Sequence, residues 1–168
     1  MLKTIDKETI EFAYDFYFKL DQKQVEEMMT ELAKRQSMIV LFFSGTSKEL
    51  DNTFQLYALF RFALMVDYSF KNYYGNIPSI SKQQVKERID WVIKDIKENP
   101  EPSGNTNYPK EIAIAGQVDL LQFIEARCEE FILASDNFPE EEACAIFDAI
   151  ITMTFLYQQE IEKMNINS

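Results

Sequence analysis

The sequence predicts an all-α fold: one domain spanning residues 1–168, built as a bundle of about six helices around a nearly all-apolar third helix. Three observations carry this. Apolar residues recur at three- and four-residue steps along most of the chain. Capping residues and helix stop signals punctuate those stretches at helix-length intervals. Glycine occurs only 4 times and proline 5 times in 168 residues, too sparsely for a turn-rich β fold.

Asp6 is placed to cap a first helix over residues 7–20, whose inner face reads Phe12, Ala13, Phe16, Tyr17 and Leu20. Tyr14 and Phe18, four apart on its flank, are expected to cover a neighbouring helix; exposed, they would form a partner surface. A second helix follows Asp21, with Val25, Met28, Met29, Leu32 and Gln36 inward. Residues 38–43, MIVLFF, are apolar on every side and fit either a helix or a short buried strand. Helix is preferred because no partner strand is evident, with Gly45 as its C-cap.

The third helix is expected from about residue 47 to Tyr74, stopped by Gly75 and Pro78. Arg61 and Asp67 interrupt its apolar surface. Six positions apart, they lie about 240° around the axis and cannot pair with each other. An acidic residue from another helix is therefore expected beside Arg61, since arginine is rarely buried without a partner. Ser81 and Gln84 form a capping box for a fourth helix to about Glu98, with Val85, Ile89, Val92 and Ile96 as its stripe. Trp91 sits three positions after Arg88 at the edge of its polar face. Residues 99–109, NPEPSGNTNYP, exclude helix and mark a possible hinge.

Pro109 begins a fifth helix, with Ile114, Val118, Leu121, Ile124, Cys128, Phe131 and Ile132 inward. After Asn137 and Pro139, a sixth carries Ala143, Phe147, Ile150, Thr154, Tyr157, Ile161 and Met164 on one face.

Composition removes several chemistries. Without histidine there is no Ser-His-Asp or Cys-His nucleophile, imidazole zinc site or Glu-x-x-His di-iron centre. The four glycines, Gly45, Gly75, Gly104 and Gly116, write no phosphate cradle. Cys128 and Cys144 sit among apolar residues and read as small buried hydrophobes. No catalytic constellation, metal site or cofactor is expected, and the reading leans against an enzyme. The charged N-terminus lacks a signal-peptide core, and the longest uncharged stretch is too short to span a membrane, so a cytoplasmic protein is expected.

Charge supplies the functional expectation. Residues 1–98 hold 14 Lys+Arg against 15 Asp+Glu, whereas residues 99–168 hold 3 against 13. Glu125, Glu129, Glu130, Glu140, Glu141 and Glu142 are expected to gather on the closing two helices as a face that docks a basic protein partner. Direct nucleic-acid binding is disfavoured, because no Lys/Arg stripe answers the phosphates. The alternative is a small-molecule sensor or carrier whose apolar, aromatic-lined pocket is anchored by Arg61 with Tyr57 and Tyr68, since 15 of the 23 aromatic residues lie within residues 1–75. Tyr14, Phe18 and Trp91 are candidates for a homodimer face.

Overall fold

Eight helices and no strand occupy the residues described by the computed structural model, 3–102 and 106–166. They are α1 (Lys7–Phe18), α2 (Gln22–Arg35), α3 (Ser37–Ser47), α4 (Thr53–Tyr74), α5 (Lys82–Glu98), α6 (Tyr108–Ala115), α7 (Val118–Ala134) and α8 (Glu140–Ile166). Residues 103–105 of the expected hinge lie outside the described residues.

Several boundaries follow the chemistry read from the sequence. Asp6 Oδ1 accepts from the Thr9 amide at 2.7 Å, and Asp21 forms a capping box with Gln24. Ser81 and Gln84 form the second box. Gly75 ends α4 at φ 87°, where a side chain would be strained. Residues 38–43 are helical within α3.

The count rises from six to eight because two expected helices are each broken at a buried glutamine. Gln36 separates α2 from α3 with φ −133° and ψ 56°. Its side chain accepts from the Ile80 amide at 2.8 Å and donates to the Pro78 carbonyl at 2.9 Å. Gln117 separates α6 from α7, beside Gly116 at φ 88°. It accepts from the Ile5 amide at 3.0 Å and donates to Tyr74 Oη and Gln158 Oε1, each at 2.9 Å. Neither amide caps its own helix. Both instead satisfy distant buried backbone or side-chain groups, which would be costly to leave bare. Gly45 is not a C-cap: it lies inside α3, which runs on to Ser47, and α4 starts later than expected, at Thr53.

The hydrophobic core draws on every helix except α5 for its fully buried members. α4 packs against α1, α2 and α8; α8 in turn meets α3, α5, α6 and α7. α8 buries the expected face from Ala143 through Ile161, whereas Met164 is exposed. In α1 the inner face is turned from the expected one. Ile10, Ala13 and Tyr17 are buried, while Phe12 is 54% exposed and Phe16 is also open. Tyr14 and Phe18 take the inner flank, where Tyr14 meets Phe123 (5.4 Å between centroids) and Phe18 meets Phe62 (4.9 Å). Aromatics on both sides of α1 left two faces available, and α7 covers this one.

The break at Gly116 also resets the phase of the fifth expected helix. Ile114 and Val118 are exposed and Ile112, Ala115 and Leu120 are buried in their place, while Leu121, Ile124 and Cys128 are buried as expected. Asp67 accepts from Tyr157 Oη at 2.7 Å and pairs with Arg35 Nη2 at 2.9 Å, so α2, α4 and α8 meet at one carboxylate.

Candidate functional site

α5 differs from the other helices in what it buries. Its apolar stripe stays at the surface or half-covered, with Ile96 62% exposed, and its one fully buried residue is Arg88, 4% exposed. A planar guanidinium tolerates this because its faces can stack while its edge pairs. Arg88 Cζ lies 4.0 Å from the centroid of the Phe155 ring and 4.8 Å from that of Trp91, and Nη2 reaches Glu111 Oε2 at 3.0 Å. Burial pushes the guanidinium pKa down, and Glu111 works against that. Arg88 Nε has no hydrogen-bond partner among the described residues.

Two crevices adjoin this arginine, one along the N-terminal half of α5 and one along its C-terminal half. One, about 370 Å³, has Trp91, Phe155, Gln84 and Ile114 in its wall. The other, about 260 Å³, lies between α5, α6 and α8 and is the candidate site. Val92 and Ile96 of α5 and Ile151 of α8 give it an aliphatic wall. Six charged residues line it: Arg88, Asp95, Glu101, Lys110, Glu111 and Asp148.

Most of these charges are committed to one another. Arg88 holds Glu111, and Lys110 Nζ holds both Asp95 oxygens at 2.8 and 3.1 Å. The Lys110 contact lowers the Asp95 pKa. Glu101 accepts from Asn107 Nδ2 at 2.9 Å. Asp148 has no counter-charge among the described residues. It is exposed to solvent in the crevice lining, yet the surrounding protein raises its carboxyl to about 6, with Glu111 and Glu49 adding to the rise. The Tyr108 hydroxyl, buried beside Asp148 and Cys144, makes no hydrogen bond of good geometry, and burial pushes its pKa up.

This carries a stability consequence. Asp148 protonates near 6 in the folded chain and near its ordinary 3.8 when unfolded. Between those values the folded state binds the extra proton, so stability falls as pH rises from about 4 to 6. Asp148→Asn should therefore raise the unfolding free energy at pH 8 by about 1 kcal/mol, a figure reduced for the group's solvent contact. The gain should vanish at pH 3.5. Thermal melts at both pH values test it, and an equal gain at both would refute the titration.

The residues singled out from sequence lie elsewhere. Glu129, Glu140 and Glu141 are exposed. Glu130 is exposed but pairs with Arg127 at 2.9 Å, and Glu125 is half-buried, its pKa raised by burial and then by Glu129. Glu142 is not part of an outward face: it is buried, accepting from the Asp51 amide and from Gln55 Nε2, because it closes the turn before α4. Arg61 has no acidic partner among the described residues; its Nη2 donates to the Leu20 carbonyl at 2.9 Å, just past α1, where helix carbonyls lack partners of their own. Tyr57 donates to Glu26, and Tyr68 packs on Phe12 and Tyr17. Neither crevice described above touches Arg61, Tyr57 or Tyr68.

Cys128 is buried, which pushes its thiol up to about 12, while Cys144 is half-buried. Trp91 is largely exposed apart from its contact with Arg88. Among the described residues no cluster of three or more Cys, Asp or Glu could hold a metal, and no helix is long and apolar enough to cross a membrane. In comparisons with known proteins, no protein-family model, curated protein or solved structure matches the chain.

Proposed function

We propose that the chain binds a small molecule in the crevice between α5, α6 and α8. One observation carries this reading: an aliphatic-walled concavity in which both cations are already paired and two carboxylates, Glu101 and Asp148, are left without a counter-charge among the described residues, Glu101 accepting only from the Asn107 amide. Ligand sites combine apolar walls with a few fixed polar groups, and strongly shifted carboxylates gather at such places. In this reading the chain is a single domain with α4 as its central, nearly all-apolar helix, and α8 forms the rigid wall of the site.

A fragment screen by protein-observed NMR tests it. Binders should shift the signals of Val92, Ile96 and Ile151 saturably, and Val92→Trp, which fills the space, should abolish those shifts while the melting temperature stays within a few degrees. Shifts spread over the surface without saturation, or unaffected by Val92→Trp, would overturn the reading.

A second reading, docking of a basic protein on the closing helices, draws on exposed Glu129, Glu140 and Glu141. Its mark would be an affinity that falls with salt.

A further inference from the structure

We infer that the ligand of this crevice is an alkyl amine whose ammonium group meets Asp148 while its hydrocarbon body lies along Val92, Ile96 and Ile151. This rests on the small-molecule reading above and narrows it to a chemical class.

The sign of the charge follows from which groups are free. Two cations face four carboxylates around the crevice, so its field is negative. An anion would have to find a donor, and both candidates are occupied. Arg88 is stacked against Phe155 and Trp91 with its edge on Glu111. Lys110 is held by both oxygens of Asp95. Capturing either would break an ion pair and leave a carboxylate bare, at a cost that grows with its burial. An ammonium group meets Asp148 with nothing displaced.

The surroundings of that carboxylate point the same way. From α6 it is faced by Glu111 and the Tyr108 hydroxyl, and from the turn after α3 by Glu49. On α5, Arg88 and Asp95 line the same crevice, as does Lys110 on α6, and Cys144 lies beside Tyr108 on α8 itself. The Arg88 and Lys110 charges are answered by Glu111 and Asp95, while Glu101 in the crevice lining and Glu49 have no cation among the described residues, so the net influence on Asp148 is negative. A bound cation relieves that repulsion as well as supplying the missing partner.

The neutral and inorganic alternatives fit less well. A bare divalent cation needs several oxygen ligands, and no such cluster exists among the described residues. A neutral apolar molecule would cover the Asp148 carboxylate without satisfying it, which is unfavourable. The volume of about 260 Å³ sits just below the roughly 300–1,000 Å³ of drug-sized sites, so the hydrocarbon body is short.

The experiment titrates the full chain with hexylamine, hexanoate and hexanol at pH 7.5, followed by NMR shifts at Val92, Ile96 and Ile151. Hexylamine should bind at least tenfold more tightly than the other two. Its affinity should fall about tenfold per pH unit below 6, as Asp148 takes up a proton. Asp148→Asn should lose at least tenfold in affinity while melting no lower than the parent chain at pH 7.5, whereas Glu129→Gln, at an exposed position of α7 outside the crevice, should bind as the parent does.

Hexanoate or hexanol binding as tightly as the amine would overturn the amine class and leave the crevice a ligand site. So would hexylamine binding undiminished by Asp148→Asn. If no probe shifts those residues, both this inference and the small-molecule reading fall.

Discussion

Arg88→Ala should destabilise the chain by about 3–5 kcal/mol, the range expected when one member of a buried ion pair is removed. The variant strips the counter-charge from Glu111, whose side chain is only 13% exposed, and takes away the surface on which Phe155 and Trp91 stack. The contrast is with a double variant. Arg88→Met with Glu111→Leu removes both charges and keeps apolar volume, so it should recover most of the loss. Urea midpoints measure both. An Arg88→Ala midpoint equal to that of the parent chain would mean that Glu111 reaches water readily and that α5 does not depend on this pair.

Gln117→Leu should cost about 2–4 kcal/mol, because one buried amide serves three separate groups. The substitution leaves the Ile5 amide, the Tyr74 hydroxyl and the Gln158 carboxamide oxygen each without the partner it has now. Gln122→Leu, at an exposed position of α7, should change little and serves as the control. Hydrogen exchange separates the two parts of the effect. The Ile5 amide should lose protection beyond the global loss of stability, and an Ile5 amide still protected to the global limit would contradict the assignment.

How far the sequence reaches is clearest at these residues. Asp6, Asp21, Ser81 and Gly75 act locally: a side-chain oxygen or a missing Cβ decides a helix end within three or four residues, so residue type and spacing suffice. Gln36 and Gln117 act at a distance. Glutamine is an ordinary helix former, and nothing beside either residue announces that its amide serves Ile80, 44 positions on, or Ile5, 112 positions back. Gly116 did carry a signal, glycine at a C-cap, but the apolar period ran through it and hid the break.

The site was less legible still. Arg88 and Trp91 were visible as neighbours on one helix, yet the crevice also needs Lys110 and Glu111 from α6 and Asp148 from α8. Asp148 is a single acidic residue in a chain with 28, distinguished only by where folding places it, on an aliphatic-walled crevice whose cations are paired elsewhere. The acidic run at 140–142, conspicuous as a pattern, instead spends Glu142 on the Asp51 amide.

The bond from Ile5 to Gln117 also sets an order of events during translation. Ribosomes release Ile5 long before the residue that completes its docking, so the Ile5 amide waits in water until Gln117, 112 residues further on, has emerged. α1 can settle on α4 earlier, but the strand of backbone leading into it is secured only once α6 has left the exit tunnel.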